Sequence, residues 1–129
     1  MATKPVASPG HKLGQIVGVL LERTFGASLE AFSRRHGLYC DRRGGRPAVR
    51  SGSKVTWEDS RGNRHDLDYV LERGGTDLLI GEPVAFIESA WRRYTKHSRN
   101  KSGELEGALL PLRDTYPTVR FVGVVLAGE

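Results

Sequence analysis

Two carboxylates on consecutive predicted strands, Asp68 in HDLDYVLE and Glu88 in PVAFIES, constrain this chain more than any other feature. The first strand carries Asp66 and Asp68, and a connection opening on Gly74-Gly75 follows. The second strand is apolar until it ends on Glu88. A basic run begins at once: Arg92, Arg93, Lys96, Arg99 and Lys101, with His97, and no acid from Trp91 to Lys101. If the strands form an antiparallel hairpin in which Glu72 pairs with Val84, then Asp68 lies opposite Glu88. Directly opposed side chains share a face with Cβ atoms about 4.5–5.5 Å apart. Two like charges so placed repel unless a cation lies between them, and a divalent metal is the usual one. A one-residue slip would send the acids to opposite faces.

The periodicity elsewhere predicts the rest of the fold. Residues 1–10, with two prolines and a glycine, read as a flexible arm, and residues 11–129 as a single domain. Leu13, Ile16, Val17, Leu20 and Leu21 follow the spacing of an amphipathic helix over Lys12–Phe25, with Gly26 as its stop. Ser28 is placed to cap a second short helix ending at Gly37, and Arg34, Arg35 and His36 in its last turn suit the negative end of the helix dipole. Those cations are equally suited to phosphate contact.

Leu38–Asp41 and Lys54–Glu58 read as strands, with Arg42–Pro47 as a loop and Arg61-Gly62-Asn63 as a hairpin turn. His65–Glu72 reads as one strand with Leu67, Tyr69 and Leu71 on one face and Asp66, Asp68 and Val70 on the other. The strand from Pro83 is apolar on both faces, as a central strand is, and desolvation of Glu88 at its end would raise that acid's pKa. From Ser102 a helix carries Leu105, Ala108, Leu109, Leu112 and Tyr116 on one stripe, with Pro111 predicting a kink or break. Val119–Leu126 reads as a last buried strand, parallel to Glu88's because a helix crosses between them.

The chain carries +5 formal charge and a pI near 9.7, which suits a polyanionic partner. Its cations gather at Arg34–Arg35, Arg42–Arg43, Arg46–Arg50 and after Glu88. A single cysteine, Cys40, excludes an internal disulfide and a multi-cysteine zinc site, and His11, His36 and His65 lack ligand spacing. P-loop, dinucleotide and nucleophile-elbow patterns are missing. No apolar run approaches a membrane span or a signal-peptide core, so a cytoplasmic protein with no membrane partner is expected.

Order αβββαβ, a mixed central sheet flanked by helices, Asp68 in LDYVLE and Glu88 in VAFIESA together resemble the PD-(D/E)xK nuclease superfamily, which includes many type II restriction endonucleases. The resemblance implies an α/β restriction-endonuclease-like core and an Mg²⁺-dependent endonuclease acting on DNA. It implies that Asp68 and Glu88 hold Mg²⁺, with Mn²⁺ as a substitute, and that Glu22 on the first helix is an accessory acid. The family's lysine two residues after the second acid is here Ala90. Its role in orienting water would then have moved to Lys96, Lys101 or His97. Otherwise the fold persists without cleavage, or the alanine was introduced to silence it.

Nucleic-acid contacts are expected from Arg92, Arg93, Tyr94, Lys96, Arg99 and Lys101, and from Arg34 and Arg35. DNA is the expected partner, with RNA a second option, and a homodimer would suit cleavage of both strands of a symmetric site. The competing reading is a non-catalytic DNA- or RNA-binding module, whose binding would depend on salt and not on a divalent ion.

Overall fold

The computed structural model describes residues 9–91 and 107–127. The elements are helix α1 (Pro9–Arg35), strands β1 (Leu38–Arg42), β2 (Val55–Glu58), β3 (Arg64–Leu67), β4 (Tyr69–Arg73) and β5 (Glu82–Trp91), helix α2 (residues 107–115) and strand β6 (Phe121–Ala127). Four strands form a mixed sheet in the order β1-β4-β5-β6, and β2 and β3 form a separate hairpin. β1, β4 and β5 are antiparallel neighbours, and β6 runs parallel to β5. Helix α2 lies in the crossover, as a parallel return requires. The chain is therefore α/β, with β5 central as its two apolar faces predict.

Each face of the sheet has its own core. Tyr69, Leu71, Ala85 and Ile87 pack with Phe25 and Leu29 of α1. On the other face Val70 and Phe86 join Leu109 and Leu112 of α2, and Val55 and Leu67 of the hairpin. Trp57 stands edge-on to Phe86 and Tyr116 at ring separations of 5.5 and 5.2 Å, seating the hairpin on the sheet. Tyr116 also donates its hydroxyl hydrogen to the Glu58 carbonyl at 2.6 Å. No described helix is long and apolar enough to cross a membrane.

α1 departs from the sequence reading in three ways. It already includes Pro9 and Gly10, and it runs unbroken through Gly26 to Arg35 instead of forming two helices. Gly26 is a buried point of close approach: a Cβ there would meet the Tyr69 hydroxyl at 3.0 Å and the Arg42 guanidinium at 3.3 Å. The turn comes at Gly37, whose φ of +67° is a left-handed conformation suited to glycine. Of the stripe expected to face a core, Leu13, Ile16 and Leu20 are more than half exposed, and the side chains of Val17 and Leu21 lie outside the described residues. Phe25 and Leu29, in the latter part of α1, pack against the sheet.

The expected strand His65–Glu72 is two strands that belong to different sheets and part at Asp68. Alternation is reset there: Leu67 packs with Val70, not with Tyr69 and Leu71. Helix α2 continues past Pro111 to residue 115, because Leu109 and Leu112 on either side of it are anchored in the core. The part expected from Ser102 to residue 106 lies outside the described residues.

Arg46 and Arg50, one of the cation clusters of the sequence, are committed internally. Arg46, 3% exposed, forks onto Glu72 at 2.7 and 3.1 Å and pairs with Asp41 at 3.0 Å. It also donates to the Thr76 and Leu79 carbonyls at 2.6 and 2.9 Å, and its guanidinium stacks on Tyr39. Arg50 holds Asp41 at 2.8 Å. The β4–β5 connection is thus fastened by a buried charge network beneath it.

Candidate functional site

β4 and β5 pair Tyr69 with Ile87, Val70 with Phe86 and Leu71 with Ala85. Continued one residue beyond Tyr69, that register sets Asp68 opposite Glu88. Glu72 pairs with Pro83, not with Val84, because a bulge lies between Leu71 and Glu72. The slip therefore falls on the far side of the acids and leaves their alignment untouched. On the other side of β4, Arg42 pairs with Tyr69, so the same extension sets Arg43 opposite Asp68. One row across three strands reads Arg43, Asp68, Glu88.

Asp68 is 9% exposed, and its Oδ2 accepts the Ser89 amide at 2.8 Å and the Ser89 hydroxyl at 3.3 Å. Arg43 Nε lies 3.4 Å from its Oδ1. Glu88, half-buried in β5, is hydrogen-bonded to Asp68. Burial first, then the charge of Asp68 and that hydrogen bond, pushes the Glu88 carboxyl up to about 8, while Arg43 pulls the other way. Two carboxylates this close do not both ionise readily, and here it is Glu88 that keeps its proton above the ordinary carboxylate range.

Such a pair offers hard oxygen donors of the kind Mg²⁺ takes, one or two carboxylates with water and substrate oxygens completing the shell. Among the described residues no group of three or more His, Cys, Asp or Glu side chains gathers around a point. Asp66 is exposed and bonds the Thr56 hydroxyl at 2.7 Å.

A cleft of about 210 Å³ opens beside Asp68, lined by Val19, Arg23, Arg42, Arg43 and Tyr69. Arg42 also pairs with Glu30 at 3.0 Å. Arg34 and Arg35, exposed in the last turn of α1, do not line this cleft. They stand about 17 Å along the helix from Arg23. Glu22 belongs to α1, but its side chain lies outside the described residues. The same holds for Arg92, Arg93, Tyr94, Lys96, His97, Arg99 and Lys101 altogether. Ala90 is in β5, two residues after Glu88.

Arg23 and Ser89 were not foreseen from the sequence, and Arg43 entered only as one of the clustered cations, without a place beside Asp68. Arg43 was recoverable, since pairing β1 with the Asp68 strand aligns the two, but that pairing joins segments separated by a whole hairpin. No family model, curated protein or solved structure matches this chain.

Proposed function

We propose that the chain is a metal-dependent endonuclease, similar in kind to the PD-(D/E)xK enzymes, that hydrolyses DNA phosphodiester bonds with Asp68 and Glu88 as its Mg²⁺ or Mn²⁺ ligands. The observation that carries this reading is the hydrogen-bonded Asp68–Glu88 pair on neighbouring strands, with the Glu88 carboxyl raised to about 8. The donor set fits the ion: both ligands are hard oxygens, and a divalent cation can replace the proton that Glu88 otherwise keeps beside Asp68. Five described strands, not three, lie between the two helices; the reading takes β1, β4 and β5 as the three core strands, with the β2–β3 hairpin inserted between β1 and β4 and β6 parallel to β5. When bound, such an ion activates water and neutralises charge developing on phosphate.

The chain's own residues supply the rest. Ser89 fixes the Asp68 carboxylate through its amide and hydroxyl, so one ligand is oriented before any ion arrives. Glu88 must give up its proton to become the second. Arg23, Arg42 and Arg43 offer positive charge for the backbone phosphates. Lys96, His97 or Lys101 is the source of a cation or base beside the attacking water, and Arg92, Arg93, Tyr94 and Arg99 extend the nucleic-acid surface. A homodimer would carry two such sites to two strands.

Ala90 supports a second reading, a nucleic-acid-binding module without cleavage, because the position two beyond Glu88 holds no cation. Supercoiled plasmid incubated with the protein separates the two. Nicking or linearisation with Mg²⁺ or Mn²⁺, abolished by EDTA and by Asp68→Asn, is the expected result. Salt-dependent binding indifferent to the ion, with intact plasmid throughout, would establish the module instead.

A further inference from the structure

The cleft beside Asp68 combines features that the acid pair alone does not explain. Three arginines from two elements, Arg23 of α1 and Arg42 and Arg43 at the end of β1, converge on a space of about 210 Å³. That space is large enough to admit a phosphoryl group. Among the described residues its lining carries one acid, Asp68, and Arg43 rests on it at 3.4 Å. The Arg43 side chain is 63% exposed against 11% for Asp68, so the arginine faces solvent while the acid is buried and held by Ser89.

We propose that this cleft is a subsite for a phosphoryl group of a polynucleotide, and that Arg43 is its switched ligand, held by Asp68 while the acid is charged and released to phosphate when a cation neutralises it. The inference rests on the proposed endonuclease reading for the ion but not for the phosphate. While Arg43 lies against Asp68 its charge is offset by that acid, and once released it can turn its N–H donors to phosphate with that charge uncompensated. Ion occupancy and phosphate binding are thereby coupled, and the coupling is reciprocal.

The test is fluorescence anisotropy with a labelled 20-base-pair duplex over a range of salt, in EDTA, so that no strand is cut. Arg43→Ala should weaken binding and lower the salt slope by about one counterion. Asp68→Asn should tighten binding by about fivefold or more, the low end of ordinary coupling energies. In the double variant that gain should fall below about twofold, because the residue being released is gone. An unchanged affinity for Asp68→Asn, or an equal gain without Arg43, overturns the proposal.

Inorganic phosphate at constant ionic strength tests the other source of the same chemistry. If tryptophan fluorescence reports Arg43-dependent binding of free phosphate while duplex affinity ignores Arg43, the polynucleotide assignment fails. Should Asp68→Asn not fold, Ca²⁺ added to the wild type takes its place, tightening duplex binding there and not in Arg43→Ala. None of these readouts involves cleavage, so a chain that never cuts can pass and one that cuts can fail.

Discussion

The Glu88 carboxyl is hydrogen-bonded to Asp68 across two neighbouring strands, and burial beside that charge raises it to about 8. Between its ordinary value and that one, the folded chain keeps a proton that the unfolded chain has released. Stability from this group therefore falls as pH rises through that window. In EDTA, Tm should decline from about pH 5 to about pH 8, and Glu88→Gln should flatten the decline. A decline of equal size in the variant would assign it to other groups.

Asp59 contributes with the opposite sign. A hydrogen bond from His65 at 2.8 Å, with the Arg61 and Asn63 amides, holds it below the usual carboxylate value. Its stabilisation is present above the unfolded pKa and lost as pH falls through the folded one. His65→Ala should weaken the β2–β3 hairpin and reduce that acid-side loss, read from Tm below about pH 5.

Arg46 holds Glu72, itself fully buried, together with Asp41 and two carbonyls. Arg46→Met leaves uncompensated carboxylates and should cost about 3–5 kcal/mol in urea unfolding. Arg46→Lys should recover little of it, because an ammonium lacks the planar fork that grips Glu72 at two points. A loss under about 1 kcal/mol would mean that the network is solvated in practice.

A mid-helix Gly→Ala change ordinarily gains about 1 kcal/mol. Gly26→Ala should not, because the new Cβ meets the Tyr69 hydroxyl and Arg42 guanidinium at 3.0 and 3.3 Å. Gly26→Leu should destabilise by about 1–3 kcal/mol through overpacking against β4. A stabilising Gly26→Leu would show that α1 does not approach the sheet this closely.

The sheet and the acid pair were legible because their signals are local and redundant. β5 is apolar on both faces, and a register error at Glu72 lies beyond the bulge and so never reached Asp68. Gly26 misled because glycine marks a helix stop and a close helix–strand approach alike, and only the position of Tyr69 distinguishes them. The break at Asp68 was invisible because HDLDYVLE alternates as a single strand would, while β3 and β4 have different partners. Arg46 read as surface charge because its loop is rich in glycine and arginine, and its acids lie 5 residues before it and 26 after. The place of Arg43 beside Asp68 was overlooked for the same reason: the row it joins is built by pairing distant segments.

Asp68 and Glu88 should act together as one divalent-ion site. Titration of Mn²⁺ into the protein, followed by the loss of the free-ion electron paramagnetic resonance signal, tests it most directly. Binding should strengthen as pH rises through about 8, where Glu88 loses its proton, and should disappear in Asp68→Asn. Binding unaffected by Asp68→Asn, or none in the wild type at any pH where the fold is intact, would contradict it.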